Sequence, residues 1–296
     1  MPDYYSSFED YLKNQKAHSK NTVESYLRDT TSYLHFLESH NIPVTEADEK
    51  SVEEFVAYLK SMNRTSATIS RNLASIRSFY KFLIYRGYMD KNPAKGIKLE
   101  KAKKKLPQVL TGEEIDLLLS QPDITEVKGC RDKAMLEILY ATGIRASELI
   151  NLDLKDMNLR AGVLYCRGAK GVRSIPVYPN AIVSVSDYIY RMRGLITRPE
   201  SGNALFVNLN GCRLTRQGFW KIVKGYASSA GITKEITPHM LRHSFALHLL
   251  ENGASVKDIQ AMMGHADISS TQVYLQLLDG HVKQVYNECH PKARLG

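Results

Sequence analysis

No stretch of the chain is apolar for long enough to cross a bilayer, and the opening MPDYYSSFEDYL is acidic and polar, so neither a membrane span nor a signal or transit peptide is expected. Cysteine is scarce: Cys130, Cys166, Cys212 and Cys289 stand far apart, with no C-x-x-C pair among them. That spacing argues against a thiolate zinc site and a disulfide framework, and fits reduced thiols in a cytoplasmic protein. The sequence also lacks a nucleotide-binding glycine loop, a Ser-His-Asp arrangement, an acidic cluster for a divalent cation, internal repeats and low-complexity tracts. These gaps leave no metal and no cofactor to expect. What the chain has in surplus is positive charge, with 40 Lys and Arg against 31 Asp and Glu, a net charge of +9. Such a balance favours a polyanionic partner, nucleic acid or an anionic membrane surface. The absence of a basic amphipathic anchor disfavours the membrane.

At 296 residues the chain is comfortable for two cores, and its apolar fraction of 43% is that of a globular protein. Up to residue 94 the pattern is helical throughout. Val23, Tyr26, Leu27, Thr30, Tyr33, Leu34 and Leu37 form one stripe, and Val52, Phe55, Val56, Leu59 and Met62 a second. Ile69, Leu73, Ile76, Phe79, Tyr80 and Leu83 form a third, with Ser66 as its expected N-cap and Gly87 beyond its end. A short first helix is expected around Phe8, Tyr11 and Leu12. Arg71, Arg77 and Lys81 lie on the polar side of the third helix and read as a solvated face. From Lys95 to Lys105 there are six lysines, one Glu and almost nothing apolar, so 95–107 reads as a basic linker. The second domain, 108–296, opens with a capping box at Thr111 and Glu114. A helix through Ala134–Tyr140 ends at Gly143, and 163–166 and 172–177 flank the turn RGAKG as a β-hairpin. Helices follow near 181–193, 215–228, 238–251, 255–263, 268–278 and 281–288. The expected fold is mainly α (α+β), with a small sheet in the second domain.

Five segments carry basic or nucleophilic side chains beside turns or helix starts: TGIRASEL, GAKGVR, TPHMLRHS, GHAD and STQVYLQ. Taken singly, each residue has an ordinary structural role. Arg145 follows a helix end, Lys170 sits at a hairpin tip, His265 follows a glycine cap, and Tyr274 lies among apolar neighbours. His239 and Arg242 are less ordinary, because two cationic side chains in the first turn of a helix oppose its dipole. An anion placed there would be held by both side chains and by free backbone N–H groups. The next residue, His243, reads as supporting the fold. In order and in combination, these cations with one phenol and no carboxylate cage suit metal-free phosphoryl transfer from a phosphodiester.

With these motifs in view, the whole chain resembles the tyrosine recombinase (phage-integrase-type) family. TGIRASEL looks like its first arginine box and PHMLRHSFA like its His-x-x-Arg box. MGHADISSTQVY looks like its Gly-His box, with the tyrosine nine residues after His265. The length and the ending HVKQVYNECHPKA look most like Xer-type chromosome dimer resolvases. Two places depart from the Xer pattern: the hairpin GAKGVR is less lysine-rich, and Leu-Gln follows Tyr274 where Thr-His is frequent.

The resemblance implies an N-terminal SAM-like core-binding domain at 1–94 and a catalytic domain at 108–296, whose C-terminal helix docks into a neighbouring subunit. It also implies Tyr274 as the nucleophile, forming a 3′-phosphotyrosyl link and freeing a 5′-hydroxyl. Arg145 and Arg242 would hold the phosphate, Lys170 would protonate the leaving oxygen, His239 would take the tyrosine proton, and His265 would hydrogen-bond the phosphate. The implied partners are double-stranded DNA with paired inverted half-sites and further protomers in a tetrameric synapse. By family analogy they extend to a second recombinase and a septal DNA translocase. The rival readings are an integrase or excisionase of a mobile element, a type IB topoisomerase, and a DNA-binding protein whose active site has decayed.

Overall fold

In the computed structural model, which describes residues 4–15, 20–99, 106–168, 171–264, 271–275 and 277–278, the apolar stripes of the first domain become helices. They are α1 (Tyr4–Asp10, continued as a π-helical turn over Tyr11–Gln15), α2 (Lys20–Ser39), α3 (Glu49–Ser61) and α4 (Ser66–Tyr85). The chain divides into two units, Met1–Lys104 and Lys105–Gly296.

Aromatic side chains fill the first unit. Phe8, Tyr33, Phe55, Phe79, Tyr80 and Phe82 are all buried, each contributing on the order of 1.5–3 kcal/mol of burial. The hydroxyls of Tyr33 and Tyr80 meet at 2.8 Å, so two polar ends satisfy one another inside this core. The N-cap of α4 is Thr65, whose hydroxyl accepts from Thr68 N–H at 3.2 Å; the sequence pattern had pointed to Ser66. Both residues carry a hydroxyl, and only the extended backbone at Thr65 decides between them. The polar side of α4 is not merely solvated. Arg71 lies 2.6 Å from the buried carboxylate of Asp29, and Arg77 donates to the carbonyls of Ala94 and Ile97.

The second unit is mainly helical with a three-stranded antiparallel sheet. Its elements are α5 (Gly112–Ser120), α6 (Val127–Thr142), α7 (Ala146–Ile150), β1 (Met157–Asn158), β2 (Val163–Gly168) and β3 (Gly171–Pro176). There follow α8 (Pro179–Asp187), α9 (Arg216–Ser229), α10 (Pro238–Glu251) and α11 (Val256–Met263), and residues 271–275 and 277–278 are helical. The Thr111–Glu114 capping box closes the start of α5 as its spacing predicts. β2 and β3 form the expected hairpin, in register Leu164↔Ile175 and Cys166↔Arg173. The two-residue β1 escapes any pattern search, being too short to show alternation.

α6 runs through the middle of the core and ends at Gly143, whose φ of +58° is the left-handed cap that glycine adopts without strain. A β-carbon there would stand 2.3 Å from the Phe245 ring, so α6 and α10 pack closely at this point. A smaller apolar cluster of Phe245, Ala246, Ile259, Met263 and Tyr274 joins α10 and α11 to the segment that carries Tyr274. Most of the linker lysines, the tip residue Lys170, His265 and the expected C-terminal docking helix lie outside the described residues.

Candidate active site

The end of α6, the start of α10 and the end of α11 converge through one side chain. Arg242, one turn into α10, is buried. Its guanidinium donates to the carbonyl of Gly143 at the end of α6, and at 2.7 Å to the carbonyl of Met263 at the end of α11. These are helix-terminal carbonyls, which a cation satisfies well. Thr237 caps α10 and Pro238 occupies its first turn, which fixes where His239 and Arg242 emerge. Burial, with repulsion from Arg145, lowers the Arg242 pKa to about 10, so it stays charged at neutral pH.

Arg145 comes from the turn between α6 and α7. It follows Gly143 and Ile144 and stands at the N-cap of α7. Glu148, three residues on, accepts the Arg145 backbone N–H at 2.7 Å and its guanidinium at 3.3 Å. The same carboxylate receives both terminal nitrogens of Arg173 from β3, at 3.0 and 2.9 Å. Arg173 also donates through Nε to the carbonyl of Met262 at 2.8 Å. Glu148 thus braces Arg145 against the hairpin strand, and Arg173 braces the strand against the end of α11. Burial works to raise the Glu148 pKa, but hydrogen bonds and charge from Arg173 and Arg145 hold it below the ordinary carboxylate value. Gly264 caps α11 with φ +63°, and a β-carbon there would sit 3.0 Å from the Arg173 guanidinium.

His239 stands at the start of α10, on the exposed side of the helix. Partial desolvation, then the charges of Arg242, Arg216 and Arg145, push its pKa down from the ordinary histidine value. It lines an open cavity of about 720 Å³ together with Ala146, Arg216, Trp220, Lys221 and Lys224. Tyr274 is 1% exposed, and its hydroxyl lies 2.7 Å from Nδ1 of His243, with the two rings 5.7 Å apart. Burial pushes the Tyr274 phenol up to about 12, while Arg242 draws it the other way. Burial, with His239 and Arg242 nearby, pushes His243 down to about 4.

Arg242 therefore lies within electrostatic reach of Arg145, His239 and Tyr274, which come from segments far apart in the chain. Lys170 and His265 lie outside the described residues. Sequence reading missed three participants: Glu148, Arg173 and the hydrogen bond of His243. Glu148 had left a signal in its three-residue spacing from the helix start, the pattern of an acidic residue reaching back to an N-cap N–H. Among the described residues no group of His, Cys, Asp and Glu is placed to hold a metal ion, and no helix is long and apolar enough to cross a membrane.

Residues 108–281 match the model of the phage integrase family, and residues 6–87 match that of the phage integrase N-terminal SAM-like domain. The tyrosine recombinase XerD of Oceanobacillus iheyensis is 44% identical over 288 residues, covering 96% of this chain and 96% of that protein. XerD of Staphylococcus epidermidis is 40% identical over 286 residues, covering 96% of this chain and 97% of its own length. Among solved structures, the XerH site-specific recombinase on palindromic difH substrate, a post-cleavage complex, aligns with a TM-score of 0.76 and 22% identity. That alignment covers 96% of this chain and 84% of XerH. XerA recombinase aligns over 98% of both chains with a TM-score of 0.55 and 24% identity. At such identities the structural likeness speaks for the fold.

Proposed function

We propose how this chain, which belongs to the phage integrase family of tyrosine recombinases, cuts and rejoins DNA. Its activity is site-specific DNA recombination of the Xer type. Tyr274 is the nucleophile that attacks a scissile phosphate, giving a 3′-phosphotyrosyl link and a free 5′-hydroxyl. The covalent link conserves the phosphodiester, so resealing needs neither ATP nor a metal. The observation that carries this reading is the placing of Arg242, anchored to the ends of α6 and α11, near Tyr274, which packs against the same end of α11, with Arg145 at the start of α7 within its electrostatic reach.

Arg242 is held by helix-end carbonyls, and among the described residues no carboxylate forms an ion pair with it. Its charge is left to balance an incoming phosphate. Arg145, partly exposed beside it, supplies the second planar fork. Together they stabilise the charge that builds on the pentacoordinate phosphorus, the kind of term that dominates such reactions. His239 opens onto the basic cavity beside Arg216 and Lys224. Lys170 protonates the leaving 5′-oxygen, and His265 is a further hydrogen-bond donor to the phosphate.

The biological setting follows by likeness to XerD relatives: resolution of chromosome dimers in the cytoplasm. The partners are double-stranded DNA with paired inverted half-sites and other protomers in a tetrameric synapse, joined by a second recombinase and a septal DNA translocase. XerH was solved on a palindromic substrate, which supports inverted half-sites here. The test is to incubate wild-type protein and Tyr274→Phe with fragmented DNA of its own source, denature, and sequence the DNA left covalently attached. Adducts with wild type alone, at one site near the replication terminus, are the expected result. Adducts at the ends of a mobile element would keep the chemistry and replace the setting with integration or excision. Equal adducts with both proteins would overturn the assignment of Tyr274.

A further inference from the structure

A phenol must lose its proton as it attacks phosphorus, and Tyr274 is almost wholly shut off from solvent. A group already in contact with the hydroxyl is then better placed than bulk water to take that proton. Resemblance to the family gave this task to His239. In the structure His239 instead lines the basic cavity with Arg216 and Trp220, and its ring lies 6.5 Å from that of His243. The ring against the Tyr274 hydroxyl is His243, at 2.7 Å through Nδ1.

We infer that His243 is a catalytic residue that accepts the proton of Tyr274 during strand cleavage and returns it on resealing. This rests on the reading of Tyr274 as the nucleophile. His243 neighbours Arg242 on α10, so one short stretch of helix holds both the phosphate donor and the proton acceptor. In the neutral ring with hydrogen on Nε2, Nδ1 is free to accept the phenol O–H. As the Tyr274 oxygen bonds to phosphorus, its O–H bond breaks and the proton passes to Nδ1. The bond from phosphorus to the 5′-oxygen breaks with its electron pair, and that oxygen takes a proton from Lys170. Resealing runs both transfers backwards, so no oxidant, reductant or metal enters.

Burial, with the positive charge of Arg242 nearby, holds His243 in the neutral form that can accept. An arriving phosphate offsets the Arg242 charge. The ring therefore gains basicity when the reacting group is in place, and stays neutral when it is not.

The experiment measures single-turnover adduct formation on end-labelled genomic fragments of the source organism. It compares wild type with Tyr274→Phe, His243→Leu, and His243→Ala with and without added imidazole, with DNA affinity and thermal stability measured alongside. Leucine keeps the volume of the ring and removes its acceptor, so its rate should fall by ~100-fold or more, within the usual range for acid–base groups. Imidazole should restore ~10-fold or more to the alanine variant, since it returns an acceptor to the vacated space. A packing role gives the opposite order: leucine cleaves at nearly the wild-type rate, and imidazole restores nothing. Either of those results overturns the role of His243. If Tyr274→Phe still forms adducts, the nucleophile itself is misassigned, a failure distinct from that of His243.

Discussion

Arg71 on α4 lies 2.6 Å from the carboxylate of Asp29, whereas Arg242 on α10 reaches the carbonyl oxygens of Gly143 and Met263. Both helices are capped by threonine, and both carry an arginine that hydrogen-bonds a group on another element. They differ in what balances the charge. Asp29, assisted by Ser75, makes the Arg71 site electrically complete, and the pair locks α2 to α4. Arg242 sits among dipoles, with Arg145 adding positive charge and the more distant Glu148 offsetting only part of it. Such a site is satisfied in hydrogen bonds and unsatisfied in charge, which costs stability in the free protein and favours an anion when one arrives. A fold arginine and a phosphate-binding arginine are thus distinguished by their partners.

The sharpest way to break this comparison is Arg242→Lys, which keeps the charge and loses the planar fork. Adduct formation should fall by about 100- to 1000-fold, the range for losing a main donor to a transition-state oxyanion. Single-turnover trapping checks this, and a rate within a few-fold of wild type would remove Arg242 from the chemistry. Arg71→Met should do the reverse. It leaves Asp29 without its cation and should cost about 1–2 kcal/mol in chemical denaturation, less than for a fully buried pair because the arginine is partly exposed. Adduct formation by DNA-bound protein should not change, and a large loss there would erase the distinction between the two arginines.

A third effect expected is a pH dependence of stability. The folded-state pKa of His243 lies near 4, against an ordinary value of 6.5, because of burial and then His239 and Arg242. The unfolded chain therefore takes up this proton first as pH falls. The stability linked to the neutral ring is complete above pH 6.5 and is lost as pH drops toward 4. His239, also depressed, acts in the same direction. Melting temperatures over that window should fall more steeply for wild type than for His243→Leu, and parallel curves would mean that His243 is not held neutral by the fold.

Much of this molecule is legible in its sequence because its signals are local. The stripes of α2, α3 and α4, the Thr111–Glu114 box, the glycine end of α6 and the β2–β3 hairpin all depend on residues within a few positions of one another. Arg145, His239, Arg242 and Tyr274 were found by their order along the chain, and the fold brings them near each other. What stayed hidden depends on distant partners. Arg71 meets Asp29 across 42 residues, Arg173 meets Glu148 across 25, and His243 meets Tyr274 across 31. Periodicity cannot see such pairs. That is why Arg71 read as solvated and His243 as support for the fold. The choice between Thr65 and Ser66 was hidden for a different reason, since two adjacent hydroxyls offer the same chemistry and only the backbone separates them.

The most direct test of the central claim is the site of attachment. DNA-linked protein from the trapping reaction is digested with nuclease and protease, and the modified peptide is sequenced by mass spectrometry. The account predicts a single nucleotide-bearing peptide, with the phosphate on the Tyr274 oxygen. A nucleotide on any other side chain, or adducts persisting in Tyr274→Phe, would contradict it.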